Sequence, residues 1–426
     1  MTWALAAIAV LLLAYAALSR RLELANVSAA MFFTTTGLIA GPVLGLLDFQ
    51  VGSEQVKRLA EITLTLVLFA DASRISMRML RREYTVPLRL LGIGLPLTIA
   101  VGTLAGAIVI PSISIAEAAV LAVAIACTDA ALGQAVVTDE RIPSRVRQGL
   151  NVESGLNDGL CVPIFFIAIA IAEADAGTAT EHAAATLVLE QIGYGLIGGA
   201  IAGVAGALLL RLGTGHKLME PHWTQLLVIA CAALAAGIAT ALGGSIFIAA
   251  FTAGILFGAL RRDAGGQVSQ LIDEGGELFN AITFIVFGAI VLGPLLDELS
   301  WEIAAYAVLS LTVVRMLPVA IALMRTGARR PTVAFIGWFG PRGLASIVFA
   351  VIMIDDAELP HEHALLVAIA ATIALSIYAH GVSARPLAER YSRWWAAHPR
   401  DALPAMENVH APEHRWRVTA RRTDSS

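Results

Sequence analysis

Long apolar runs constrain the fold of this chain more than any other feature. They recur along a sequence of 426 residues in which 58% are hydrophobic and only 15% are charged, whereas a soluble domain carries about 25% charged residues. A run of about 20 apolar residues spans the hydrocarbon layer when it is helical. In lipid the backbone must satisfy its own hydrogen bonds, and the strict alternation typical of a β-barrel is absent. The sequence therefore predicts an all-α polytopic membrane protein.

The apolar runs divide into about thirteen candidate transmembrane helices when each is allotted about 20 residues. The predicted spans begin near Trp3, Val27, Ser53, Val86, Ile115, Arg147, Ala183, Trp223, Gly244, Gly275, Trp301, Thr332 and Glu362. The residues from about 386 to 426 are polar, and we predict a short cytoplasmic tail that is partly disordered.

The loops between the spans alternate in charge, which predicts their orientation. One set is basic: Arg20 and Arg21, Arg74 to Arg82, Arg141 and Arg145, Arg211 and Lys217, Arg261 and Arg262, and Arg325 to Arg330. The other set is mostly acidic, despite Lys57 and Arg58: Asp48, Glu173 to Glu181, Asp297 to Glu302, and Asp355 to Glu362. Positive residues mark the cytoplasmic side. We therefore expect a multi-pass plasma (inner) membrane protein with its amino terminus outside and its carboxyl terminus inside.

Two spans are interrupted by polar residues at corresponding places. The fifth contains Cys127-Thr128-Asp129, and the twelfth contains Gly340-Pro341-Arg342-Gly343. They lie an odd number of spans apart, so the two interruptions have opposite orientations, as in inverted repeats. Paired broken helices are the best sequence indication of a transporter binding site.

The sixth span carries a strip of polar side chains that is expensive to place in lipid. On a helix, Ser154 and Asp158 share one face, while Glu153 and Asn157 share the neighbouring face. Oxygen ligands of this kind suit a small hard cation. Asp129 is the natural second carboxylate, and unwinding beside it frees carbonyl groups such as that of Thr128.

Cations and protons would compete for the same oxygens, which is sufficient to couple their transport. Glu153 needs a counter-charge, and we assign that role to Arg342 at the break of the twelfth span. For Arg315 the sequence leaves two roles open, pairing with Asp71 or capping a helix end.

Three stretches resemble sodium/proton exchangers of the NhaP/NHE type, the electroneutral branch of the cation:proton antiporter superfamily. They are Thr128-Asp129, the block from Glu153 to Gly159, and the block from Gly340 to Ala345. The resemblance implies an NhaA/NhaP-like antiporter fold with about thirteen helices, inverted repeats and a homodimer. It also implies one transmembrane domain over residues 1–385, with core helices around 86–172 and 301–385 and interface helices around 1–70 and 183–295.

The same resemblance implies roles for individual residues. The cation and proton would bind at Asp129, Asp158, Ser154 and the Thr128 carbonyl, with Asp71 as a further acidic candidate. Asn157 and a Glu153–Arg342 pair would hold the site together. The electrogenic branch has an acidic residue at the position of Asn157, so its amide implies one proton per cation.

The resulting prediction is a secondary antiporter that exchanges sodium, or lithium, for protons by alternating access. A potassium/proton or mixed-cation exchanger is the alternative, and a channel or sensor on the same scaffold is a third reading. We expect no enzymatic activity, no cofactor and no nucleotide or nucleic-acid partner. Membrane lipid and a second copy of the chain are the expected partners.

Overall fold

Helices are the regular structure of the described part of the chain. The computed structural model describes residues 2–47, 54–75, 85–129, 131–261, 270–398 and 405–408, and all regular structure in these ranges is helix. The first seven spans contain α1 (Thr2–Leu24), α2 (Ala29–Val43), α3 (Glu54–Arg74), α4 (Thr85–Val109), α5a (Ile115–Ala124), α5b (Gln134–Val137), α6 (Ser144–Ala176) and α7 (Glu181–Gly215). The remaining helices are α8 (Pro221–Leu242), α9 (Ile246–Leu260), α10 (Gln270–Val286), α11a (Trp301–Leu311), α11b (Val313–Ala322), α12a (Arg330–Trp338), α12b (Leu344–Asp356), α13 (Glu362–Ala396) and α14 (Ala405–Asn408).

The helices begin within a few residues of the predicted span starts. In the described ranges, 8 helices are long and apolar enough to cross a membrane, and shorter apolar helices accompany them. This confirms the all-helical, multi-span class, while the total of about thirteen crossings stays a prediction. Three stretches inside the spans are π-helical, at Ile39–Val43, Leu90–Gly94 and Phe287–Leu292.

Local sequence explains where the important helices begin and end. Ser114 accepts a hydrogen bond from the amide of Glu117, whose side chain binds the Ser114 amide in return, so a capping box starts α5a. The long helix α6 starts after Pro143 and ends at Gly177, which takes a left-handed conformation with φ of 74°.

Glycines let neighbouring helices approach closely. A Cβ atom on Gly254 of α9 would lie 2.6 Å from the carbonyl oxygen of Phe69 on α3. A Cβ atom on Gly37 of α2 would lie 2.1 Å from the carbonyl oxygen of Ile285 on α10. These contacts leave no room for a methyl group, as expected where packing of small residues drives helix association in lipid.

Both predicted interruptions are present. The helix of the fifth span ends at Ala124, and the next described helix begins at Gln134. The helix of the twelfth span ends at Trp338 and resumes at Leu344. The eleventh span has a third discontinuity at Thr312, where φ is −105° and ψ is −91°, and the sequence did not indicate it.

The carboxyl-terminal region packs on the membrane domain. Helix α13 runs past the predicted domain boundary at residue 385 and ends at Ala396, and α14 follows. In α14, Glu407 is 1% exposed, and its Oε1 accepts hydrogen bonds from the Arg329 amide (2.9 Å) and the Thr332 hydroxyl (2.7 Å) at the start of α12a. The rest of the predicted tail, with its expected disorder, lies outside the described residues.

Candidate functional site: a buried carboxylate site at two crossing broken helices

The polar strip of α6 is buried in the middle of the protein. Glu153, Ser154, Asn157 and Asp158 all lie on this helix, and each is at most 7% exposed. Their i,i+4 spacing places Ser154 and Asp158 on one face, as the sequence predicts. Ionised groups at this depth are costly, so the structure keeps them inside the helix bundle and away from lipid.

The strip of α6 faces the unwound part of the fifth span. Ser154 Oγ donates a hydrogen bond to the Thr128 carbonyl oxygen. Asn157 Nδ2 donates to the Ala126 carbonyl oxygen at 3.3 Å and to Thr128 Oγ1 at 3.4 Å. Carbonyl groups that the helix break leaves without helical partners are therefore satisfied by α6. The Thr128 carbonyl has a second lone pair that could face an ion.

Asn157 is itself held in place by a neighbour on α6. The Cys161 thiol donates to Asn157 Oδ1 at 3.1 Å, which leaves the amide nitrogen directed at the fifth span. Cys161 is a residue that the sequence analysis did not single out. Its position one turn beyond Asn157 is the one signal in the sequence for this contact.

Asp129 lies where the two broken spans cross. Its amide donates to the Pro341 carbonyl oxygen at 2.7 Å. Its Oδ2 accepts from the Leu344 amide at 3.0 Å, and its Oδ1 accepts from the Ala131 amide at 2.7 Å. The carboxylate thus caps the amino terminus of α12b, a position at which negative charge is stabilised by the helix dipole.

The crossing depends on a glycine in the twelfth span. A Cβ atom on Gly343 would lie 2.1 Å from Asp129 Oδ2. The need for glycine is therefore one of space, because a methyl group would push the carboxylate of Asp129 away from the α12b amides.

Asp158 and Asp129 belong to the two segments that meet at Thr128. Asp129 follows Thr128 in the chain, while Asp158 lies one helical turn beyond Ser154, whose hydroxyl bonds the Thr128 carbonyl. The structure thus brings the predicted ligand-bearing segments together. The assignment of the cation and the proton to these oxygens stays a prediction.

The predicted pairing of Glu153 with Arg342 is wrong. Arg315 of α11b is the partner of Glu153, through a bidentate contact of Nη1 to Oε1 at 2.5 Å and Nη2 to Oε2 at 2.8 Å. Arg315 reaches Glu153 because Gly340 has no side chain: a Cβ atom there would lie 2.3 Å from Arg315 Nε. The two roles left open for Arg315, pairing with Asp71 or capping a helix, are replaced by this ion pair.

Arg342 has a different role in the structure. Its side chain is fully buried, and Nη1 donates to the carbonyl oxygens of Ala126 (2.9 Å) and Cys127 (3.2 Å). These carbonyls follow the end of α5a, where a cationic side chain is favourably placed. Arg342 therefore contacts the broken fifth span and not Glu153, and its site-organising role stays a prediction.

Asp71 lies beside the polar strip of α6. Its Cβ is 3.6 Å from the position that a Cβ of Gly155 would occupy. Asp71 Oδ1 also lies 3.4 Å from Arg74 Nη1 on the next turn of α3. The structure thus places Asp71 of α3 beside Gly155 of α6, the residue that follows Ser154. Its predicted part in binding ions or protons stays a prediction.

Sequence reasoning missed two polar side chains on α13. Ser376 Oγ accepts a hydrogen bond from the Arg342 amide at 2.7 Å, and His380 Nε2 lies 2.8 Å from the Trp338 carbonyl oxygen. Both side chains are buried. A histidine inside an apolar run was the available signal, since ionisable side chains in a span are functional candidates by default.

Two broken helices that cross at a buried carboxylate define a class, the polytopic helical membrane proteins with the architecture of a secondary transporter. Within this class the chain belongs to the sodium/hydrogen exchanger family, whose transmembrane family model matches residues 8–390.

The chain is also similar in sequence to several named antiporters. The chain is 26% identical over 356 residues to a probable Na(+)/H(+) antiporter of Schizosaccharomyces pombe, with 77% of this chain and 46% of the relative covered. It is 26% identical over 368 residues to the K(+)/H(+) antiporter NhaP of Alkalimonas amylolytica, with 85% of this chain and 62% of the relative covered. It is 31% identical over 256 residues to the Na(+)/H(+) antiporter NhaP of Pseudomonas aeruginosa, with 56% of this chain and 57% of the relative covered. The chain thus spans less than two thirds of the length of these relatives.

A solved structure supports the fold. The sodium proton antiporter MjNhaP1 of Methanocaldococcus jannaschii superposes with a TM-score of 0.71 at 18% identity, covering 92% of this chain and 99% of that chain. This confirms the predicted NhaP-like architecture. At this level of identity the likeness concerns the fold alone.

Proposed function

We propose that the protein is a secondary antiporter that exchanges a monovalent cation for protons across the plasma (inner) membrane. One observation carries the proposal: Asp129 caps α12b at the crossing of two broken helices, and the oxygen-rich strip of α6 with Asp158 faces the same unwound segment. A protein that only spanned the membrane would gain nothing from these costly buried groups.

The proposed exchange follows from competition at these oxygens. Asp158, with Asp129, binds either a cation or a proton, and the bare ionised site crosses the membrane poorly because an uncompensated charge in lipid is costly. The cycle is alternating access, in which the helices that carry the site move relative to the rest of the bundle. Asn157 contributes no charge, so we propose that one proton is exchanged for each cation and that exchange is electroneutral.

Sodium is the proposed cation, with lithium as a second substrate. Family relatives named as Na(+)/H(+) antiporters support sodium, and the K(+)/H(+) antiporter NhaP of Alkalimonas amylolytica keeps potassium as the alternative substrate. The ligand types are the same for these ions, so the size of the cavity decides between them. We further propose a homodimer in lipid, with the amino terminus outside and the carboxyl terminus inside.

Transport into proteoliposomes tests the proposal. Sodium, lithium and potassium are added in turn under an imposed pH gradient, with and without a membrane potential, while an internal dye reports pH. We expect sodium to dissipate the gradient at a rate that does not depend on the potential. Asp158→Asn should abolish this exchange, whereas Asp139→Asn should retain it, because Asp139 lies in a loop and bonds Arg141. Full activity of Asp158→Asn would contradict the assignment.

A further inference from the structure

The break in the twelfth span exposes backbone groups that must be satisfied inside the membrane. Trp338 is the last residue of α12a, and Arg342 lies in the non-helical link before α12b. In an unbroken helix the Arg342 amide would donate to the Trp338 carbonyl. At the break the Trp338 carbonyl accepts from the Gly340 amide at 2.9 Å and has a second lone pair, while the Arg342 amide needs another acceptor. In lipid each unsatisfied backbone group costs several kcal/mol, so partners from neighbouring side chains stabilise the break.

Two side chains one turn apart on α13 supply them. Ser376 Oγ accepts from the Arg342 amide at 2.7 Å, and His380 Nε2 lies 2.8 Å from the Trp338 carbonyl oxygen. Ser376 Oγ and His380 Nδ1 are 3.2 Å apart, which joins the two contacts. Ser376 is 0% exposed and His380 is 2% exposed, so water does not compete for these partners.

The chemistry of the partners favours one arrangement of protons. Both ring nitrogens of His380 lie near carbonyl oxygens, which can only accept: Nε2 near that of Trp338, and Nδ1 at 2.9 Å from that of Ser376. A neutral ring with its proton on Nδ1 would leave two acceptors, Nε2 and the Trp338 oxygen, facing each other. With the proton on Nε2, that nitrogen donates to Trp338, and Nδ1 can accept from the Ser376 hydroxyl. Ser376 Oγ accepts from Arg342 and still has its own hydroxyl proton, which it can donate to His380 Nδ1. A neutral imidazole thus completes an unbroken series of hydrogen bonds from the Arg342 amide to the Trp338 carbonyl.

The indole of Trp338 adds a second attachment to the same helix face. The rings of Trp338 and His380 stack with centroids 5.1 Å apart, and Trp338 Nε1 donates to Ser383 Oγ at 2.9 Å. Ser376, His380 and Ser383 lie at i, i+4 and i+7 on α13, so they share one face. The end of α12a is thereby tied to α13 at several points.

The position of this break sets the position of the site. Arg342 extends from the break to the carbonyls of Ala126 and Cys127, and the Leu344 amide, two residues further on, binds Asp129. We propose that His380 and Ser376 are positioning residues of the exchanger: by holding both ends of the break, they hold the α12b amino terminus against Asp129. This inference rests on the proposed function for its transport readout, and on the geometry of the break for its structural readout.

The test compares three single variants, and the double variant of the two alanine changes, with a matched control. His380→Ala and Ser376→Ala each remove one member of the pair, while His380→Gln keeps an N–H donor near the place of Nε2 and cannot titrate. The control is Thr372→Val, one turn before Ser376, where the hydroxyl is equally buried but donates only to Ala368 of its own helix at 2.7 Å. Each variant is purified, checked for monodispersity and reconstituted at equal amounts.

Two measurements are made on each variant. The first is the KM and maximal rate of sodium/proton exchange as a function of pH. For His380→Ala and Ser376→Ala we expect KM to rise by about five- to tenfold, the equivalent of one hydrogen bond, and the double variant should be no worse than either single one. His380→Gln should return KM to near the wild-type value without changing the pH profile, and Thr372→Val should leave KM unchanged.

The second measurement is deuterium uptake by the backbone amides of residues 338–345, which does not require transport. We expect faster uptake in His380→Ala and Ser376→Ala but not in Thr372→Val. The inference is overturned if His380→Ala matches Thr372→Val in both KM and uptake. A His380→Gln variant as impaired as His380→Ala, or with a shifted pH profile, would overturn the neutral-donor role. If the wild-type protein exchanged no cation, the proposed function would fail, and uptake alone would still decide the positioning role.

Discussion

The ion pair between Glu153 and Arg315 gives the sharpest quantitative prediction. Both side chains are almost fully buried, at 2% and 3% exposed, and they meet through two hydrogen bonds. Glu153→Gln removes the negative charge and leaves the guanidinium of Arg315 buried without its counter-charge. Removal of one partner of a buried pair costs about 3–5 kcal/mol, because the remaining charge is desolvated and uncompensated. The ratio of folded to unfolded protein should fall by more than about 100-fold.

Removal of both charges should be much less damaging than the sum of the single changes. The variant Glu153→Gln with Arg315→Met leaves no buried charge at this position, so we expect a coupling energy of about 2 kcal/mol in the double-mutant cycle. The matched control is the cycle of Glu153→Gln with Arg342→Met. Arg342 bonds the carbonyls of Ala126 and Cys127 instead, and its coupling to Glu153 should be clearly smaller.

The assay is reversible unfolding of the purified protein in mixed micelles, titrated with a denaturing detergent and followed by near-ultraviolet circular dichroism. Equal amounts of each variant are compared under one set of conditions, and the free energies of unfolding complete the two cycles. The reasoning would be refuted if Glu153 coupled as strongly to Arg342 as to Arg315. Additive effects of Glu153→Gln and Arg315→Met would refute it equally.

Three further substitutions test individual contacts. Gly343→Ala should reduce exchange in proteoliposomes by about 100-fold with the protein still folded, because its Cβ would lie 2.1 Å from Asp129 Oδ2; near wild-type rates would count against the crossing. Gly159→Ala should lower the free energy of unfolding by about 1–3 kcal/mol, since its Cβ would lie 2.2 Å from the Phe251 ring; Phe251→Leu should recover part of this loss. Glu407→Ala removes the acceptor of the hydrogen bonds from the Arg329 amide and the Thr332 hydroxyl, so limited proteolysis should remove the carboxyl-terminal segment faster, and unchanged cleavage would contradict its docking.

The positions of the helices and the two breaks follow from local physical chemistry. An apolar run of sufficient length has no alternative in lipid to a helix, and a polar group such as Asp129 in the middle of a run marks where that helix is interrupted. The grouping of Ser154 and Asp158 likewise follows from the period of the helix. These features depend on residues close together in the chain.

The partner of Glu153 depends on geometry that a linear reading does not contain. Arg315 and Arg342 were both buried arginines within a broken or irregular span, and charge alone did not distinguish them. The bare backbone of Gly340 leaves the space in which the Arg315 guanidinium reaches Glu153. His380 was overlooked for a similar reason, since its role depends on a break that lies 42 residues away in the sequence.

Sodium binding to the purified protein as a function of pH tests the central claim most directly. Equilibrium binding of radioactive sodium is measured for the wild type, Asp158→Asn and the loop control Asp139→Asn. If cation and proton share the site, protons compete with sodium for the carboxylate. The apparent Kd for sodium should then rise by about tenfold for each unit by which the pH is lowered, once the carboxylate is mostly protonated. Asp158→Asn should bind no sodium at any pH, and Asp139→Asn should match the wild type. Binding that is independent of pH, or that persists in Asp158→Asn, would contradict exchange at this site.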